Sequence, residues 1–368
     1  MSASREADSL PPRDVLQKFM LGFQGTSLPA ELRVLLAGGL GSVAIYPRNF
    51  TSAEGLLALT EDIRRVAGGP VLIGIDQEGG TKFSLPEPFT QWASPEEFGR
   101  LNDEALVQRQ AAAMARELRA VGINLNFAPM LDLHLNPDSP VTKGRSFGSD
   151  PHRVSRLGAA FIRGMGAGGV LPCAKHFPGH GDASVDPHED LPVFQGTERR
   201  LDSIDLVPFD GAIREGVSFV MTAHILLPQI EPDLPASLSR KLLTQVLRER
   251  MEFDGVILAD DLGMGAIAKR YGVGEAAVEA LRAGCDIVML CHDWRLAAQA
   301  IEEVAEARKA GGFPEGEWEA SQERIERTHR VAGSFDEDYG RPGIGKIGCA
   351  EHRRLAAEIR ERARSIMP

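Results

Sequence analysis

Eight short apolar runs rich in β-branched residues recur between Phe19 and Leu290, and helix-patterned segments fall between nearly all of them. The runs are Phe19–Phe23, Gly41–Ile45, Val71–Ile75, Asn124–Ala128, Val170–Ala174, Phe219–Ala223, Val256–Ala259 and Ile287–Leu290. The intervening helices include Glu104–Ala120, Arg153–Ala167, Arg240–Arg250 and Gly274–Ala283, with Ser239 placed to cap one start and Gly168–Gly169 and Gly284 placed to close two ends. Parallel strands need a long crossover, usually a helix. Strand and helix alternating eight times predict an α/β chain closed into a (β/α)8 TIM-type barrel. A doubly wound sheet is the rival, but no GxGxxG opens the first unit. At 368 residues and 43% hydrophobic, the chain is large enough to bury such a core. The barrel is expected over 1–332 as a single domain. A Gly-rich connector, Gly333–Gly348, and a charged helix from about Glu351 to Ile366 then make up a 333–368 extension.

Charge and cysteine usage narrow the functional classes. A net charge of −11 without basic clusters argues against nucleic acid as a partner. No run approaches the apolar length of a membrane span, and the opening MSASREADSLPP has no apolar core of a signal peptide. Cys173, Cys285, Cys291 and Cys349 form no CxxC pair and read as reduced thiols of a cytoplasmic protein.

Polar residues gather where the apolar runs end: Asp76, Asp132, His176, His224 and Asp260, with Arg145 on the loop after the fourth run. In a barrel those ends share one rim, where active sites are built. Residues 173–192, CAKHFPGHGDASVDPHEDLP, concentrate titratable groups on that rim. Three readings compete for this loop. His176 and His180 have a metal-ligand spacing, yet Pro178 and Gly179 forbid a helix between them and the first run offers no histidine. A merely solvated loop would need to explain why His176, Asp182, Asp186 and His188 all sit at the functional rim. For proton transfer, Asp186-Pro187-His188 sets a carboxylate two residues from an imidazole across a stiff proline. Such a pair fixes the imidazole tautomer and suits a general acid/base. Asp260, at the end of an apolar run, could be a nucleophile or a simple cap.

KHFPGHGDASVDPH resembles the signature loop of glycoside hydrolase family 3, in the bacterial β-N-acetylglucosaminidase branch. The resemblance extends from about Phe19 to His292 through IDQEGG (75–80), FAPMLDL (127–133), KGRSFGSDP (143–151), MTAHILLP (221–228), LPASLS (234–239) and ILADDLGMGAI (257–267). It implies a (β/α)8 barrel and retaining, two-step hydrolysis without a cofactor or metal. Asp260 then matches the nucleophile, His188 the general acid/base and Asp186 its partner. Asp76, Arg145, Lys175 and His176 match residues that hold the sugar, and Met264 the lining of an N-acetyl pocket. The expected activity is removal of terminal β-GlcNAc from a small carbohydrate, with peptidoglycan fragments as the source. β-Glucosidase or phosphorylase activity of the same fold is the alternative, and a sugar-binding protein without turnover is a second. One departure stands out: Thr81-Lys82-Phe83-Ser84 replaces a stretch where the family carries arginines.

Overall fold

The computed structural model describes residues 10–366. Its strands in chain order are β1 (Phe19–Leu21), β2 (Ser42–Ala44), β3 (Leu72–Ile75), β4 (Leu125–Asn126), β5 (Leu171–Phe177), β6 (Phe219–Thr222), β7 (Leu226–Leu227), β8 (Glu231–Pro235), β9 (Val256–Asp261) and β10 (Ile287–Leu290). Eight of them pair in parallel and in chain order around a closed barrel, with β1 completing the circle against β10. All eight expected runs supply a barrel strand.

The apolar pattern accounts for the closure. Met20, Leu72, Leu125, Cys173, Met221, Leu258 and Met289 fill the interior. Their strand neighbours Leu21, Ile73, Ala174, Val220, Ile257 and Val288 face outward into the layer of helices. Strands buried on both faces read as continuous apolar runs, which is why they stand out in the sequence. One interior contact depends on glycine: a Cβ on Gly74 would meet the Phe127 ring at 2.4 Å. The helices carry the expected stops. Asp103 accepts the Leu106 N–H to open Glu104–Ala120, and Gly169 ends Pro151–Gly168 in the left-handed region. The Ser239 hydroxyl accepts the Leu242 N–H at 3.2 Å, although the helix it precedes, Lys241–Arg250, winds as a π-helix.

Two features differ from the sequence reading. The antiparallel β7–β8 hairpin is inserted after β6, and a bridge from Leu226 to Val193 ties it to the segment following His188. The connector is also shorter than Gly333–Gly348, because the helix Glu317–Tyr339 runs straight through Gly333. Ile325 and Ala332 of that helix join the interior cluster, with Phe335 packed against it. This burial outweighs the roughly 1 kcal/mol a helical glycine costs. The last helix, Ala350–Ser365, lies against Pro95–Leu101 and Glu104–Ala120. Buried Glu117 fastens it there, accepting from Thr90, from the Gly348 N–H and from His352.

Candidate active site

The C-terminal ends of the strands surround a cavity of about 270 Å³. Asp76, Arg145, Lys175, His176, Asp186, His188, Asp260 and Met264 all line it. Residues from β5 and β9 and from the segments after β3, β4, β5 and β9 thus meet at one place, as the barrel requires. A second cavity of about 180 Å³ is lined by Lys18, Arg248, Asp286 and Arg324. There the Asp286 carboxylate is held by Arg248 and Arg324, and Lys18 donates to Ser321, so its polar groups serve packing.

The deep wall is an ion-pair network. Lys175 Nζ donates to Asp76 Oδ1 at 2.5 Å and lies 2.8 Å from Glu78 Oε1. Arg145 grips the same Glu78 with both arms of its fork, Nη2 at 2.7 Å and Nε at 2.9 Å. Burial pushes the Glu78 carboxyl up, but the Arg145 and Lys175 charges override it and bring it down to about 2. Lys175 keeps one of its three N–H groups for a ligand, and Arg145 two of its five after the Val141 carbonyl takes another. The pair can therefore donate to adjacent oxygens, while Asp76 offers its second carboxylate oxygen as an acceptor. Asp132 organises the next layer. Its carboxylate accepts the backbone N–H of His180 at 2.7 Å and of His176 at 3.3 Å, and the Nδ1 of His176 at 2.7 Å. Burial lowers His176 below its usual value, with the Asp132 carboxylate opposing.

Asp260 and Asp261 divide two tasks. The Asp261 carboxylate accepts the Gly263 N–H at 2.9 Å and the Cys291 N–H at 3.3 Å, so it braces the turn. Both line the cavity, and among the described residues Asp260 accepts the Asp261 N–H alone, at 2.8 Å. Burial pushes its carboxyl up, yet His224, His176, that N–H and Lys175 hold it below the ordinary range, as an anion. Opposing polar contacts fix buried His224 between the Ser237 hydroxyl and the Asp261 carbonyl. On the outer side, His188 Nδ1 lies 2.8 Å from Asp186 Oδ1, and the His188 N–H donates to the same oxygen at 2.9 Å. The ring is exposed and its Nε2 stays available. This loop is docked rather than loose: Gly265 and Ala266 donate to the carbonyls of His188 and Pro187, and a Cβ on Gly265 would meet the His188 oxygen at 2.6 Å.

Not every titratable group of the 173–192 loop takes part. Asp182 binds Arg200 at 2.8 Å. His180 is buried against Asp132, and Asp132, His176 and His180 bring their ligand atoms within 4.8 Å of one another. The sequence reading passed over Glu78, although charge balance pointed to it: two buried cations, Arg145 and Lys175, need more than the single anion Asp76. Tyr46 and His292 also line the cavity without having been singled out for it, and Lys82 and Phe83 of the stretch that replaces the family's arginines line it too. Phe83 sets its ring 4.2 Å from the Arg145 guanidinium.

The rim of the parallel barrel thus gathers a half-buried carboxylate at one wall and an imidazole–carboxylate pair at another. The pattern described as the glycosyl hydrolase family 3 N terminal domain matches residues 21–328. A beta-hexosaminidase of Idiomarina loihiensis is 34% identical over 326 residues, covering 86% of this chain and 98% of the relative. One from Alkalilimnicola ehrlichii is 38% identical over 285 residues, covering 76% and 81%. Among solved structures, a glycoside hydrolase family 3 beta-N-acetylglucosaminidase from a Paenibacillus species superposes with a TM-score of 0.90 at 35% identity, covering 95% of this chain and 68% of that one. The chain belongs to glycosyl hydrolase family 3.

Proposed function

We propose that this enzyme is a retaining, exo-acting β-N-acetylglucosaminidase that removes terminal β-GlcNAc from peptidoglycan fragments in the cytoplasm. The observation that carries the mechanism is the pairing, in one pocket, of an anionic Asp260 with an Asp186-oriented His188. Asp260 attacks the anomeric carbon while His188 Nε2 delivers a proton to the departing oxygen, giving a glycosyl-enzyme. His188, now neutral, takes a proton from water as it attacks the same carbon, and Asp260 leaves as the carboxylate. Asp186 stabilises the imidazolium and holds the ring in the tautomer that presents Nε2. Asp76, Lys175, Arg145 and His176 bind the sugar hydroxyls, and Met264 lines the space for the N-acetyl methyl. The relatives named beta-hexosaminidase support the choice of sugar, and the four free cysteines suit a reducing compartment.

The test is turnover of aryl β-GlcNAc against aryl β-glucoside, with and without phosphate, following the first-formed anomer by NMR. Release of β-GlcNAc without a phosphate requirement is expected. Initial formation of the α-anomer would overturn the two-step route, and phosphate-dependent release would make the enzyme a phosphorylase.

A further inference from the structure

The replaced stretch after β3 places a cation that the hydrolytic machinery does not use. Lys82 lines the cavity and is exposed. Its Nζ donates to the Pro140 carbonyl at 3.0 Å, and among the described residues no carboxylate pairs with it. Arg145 and Lys175, by contrast, are neutralised by Glu78 and Asp76. Lys82 is therefore an uncompensated charge with two N–H groups left to donate. Its position says which part of a substrate it meets. The exposed lining residues are Lys82, Phe83, Pro140, His188 and His292, whereas Lys175, His176 and Met264 are buried behind them. The leaving group that His188 protonates must occupy this mouth.

We propose that Lys82 is a specificity residue that reads a carboxylate on the leaving group, so that the preferred aglycone is an acidic sugar derivative. The assignment rests on the β-GlcNAc hydrolase reading above. A chain of net charge −11 disfavours an anionic ligand at long range, and a lone ammonium at the mouth offsets that locally. The carboxylate could stand on an ether arm of the sugar or on a peptide attached to that arm, and both present the same group to Lys82.

The experiment measures binding by calorimetry at low salt, in an Asp260→Asn background so that the ligand persists. Three ligands are compared: GlcNAc-β-1,4-N-acetylmuramic acid, its methyl ester, and the disaccharide carrying L-alanine on the lactyl arm, which moves the carboxylate to the peptide. An exposed ion pair allows about a three- to fivefold preference for an acid over the ester. That preference should vanish with Lys82→Met, persist with Lys82→Arg and shrink as salt is added. The ligand showing it identifies which carboxylate is read. A preference that survives Lys82→Met, or no preference in the parent protein for either acid, overturns the proposal. Turnover of a neutral aryl β-GlcNAc by the unmodified chain is followed in parallel. Lys82-dependent binding without that turnover would overturn the activity and leave the assignment of Lys82 standing.

Discussion

Glu78→Gln isolates the device that holds the deep wall together. The Glu78 side chain is 1% exposed, and its two oxygens carry three contacts from Arg145 and Lys175. Burial opposes its ionisation, yet the two cations take the carboxyl from its ordinary 4.5 to about 2. At about 1.4 kcal/mol per tenfold change in acidity, the ionised group contributes about 3 kcal/mol to folding at neutral pH. Breaking a buried pair by removing one partner costs about 3–5 kcal/mol, which agrees. Glutamine keeps the shape and one acceptor oxygen but turns an N–H₂ toward a guanidinium or an ammonium. The sign follows from the direction of the shift. The folded value lies below the unfolded one, so the contribution is complete above 4.5 and is lost as pH falls toward 2. Urea unfolding of the parent and Glu78→Gln should therefore differ by about 3 kcal/mol at neutral pH and by less below 4.5. KM for aryl β-GlcNAc should rise as Arg145 and Lys175 lose their fixed positions. A variant as stable as the parent at neutral pH would refute the clamp. So would a loss that stays constant into acid.

Asp260→Ala should lower turnover of every glycoside by about a thousandfold or more, activated leaving groups included, in assays of initial rate. Substantial residual activity would move the nucleophile elsewhere, although Asp261 is already engaged by two backbone N–H groups. His188→Ala should cost about 10²–10⁴-fold on natural sugar linkages and much less in the first step on nitrophenyl substrates, with a burst as the glycosyl-enzyme accumulates. Asp186→Asn should be milder, and equal losses across leaving groups of different acidity would show that His188 is not the acid. Exhaustive chelation should leave activity intact. If it abolished activity and zinc restored it, the Asp132–His176–His180 cluster would become the site to examine.

The barrel was legible because the strands are buried on both faces and read as largely apolar runs, broken only by residues such as Ser42 and Asn126, with polar residues gathered at their ends. The β7–β8 hairpin was not, since Glu231, Pro232 and Asp233 give it no apolar alternation. The extent of the helix through Gly333 was hidden for a different reason. Local glycine content argues for a linker, and only burial of Ile325 and Ala332 against the barrel interior overrides it.

The site divides along the same line. His188 and Asp186 are two residues apart, so their hydrogen bond is a local fact that a sequence displays. Which of two adjacent aspartates is free cannot be read locally. It depends on the Gly263 and Cys291 N–H groups, which engage Asp261, whereas among the described residues Asp260 accepts only the Asp261 N–H. Glu78 is harder still, because its partners Lys175 and Arg145 are 97 and 67 positions away. Counting charges rather than matching motifs is what exposes such a residue. Two cations buried beside a single half-buried Asp76 would repel each other and pay for desolvation, so a second anion must face them. The same count, carried outward to the mouth, finds among the described residues no carboxylate that answers the charge of Lys82.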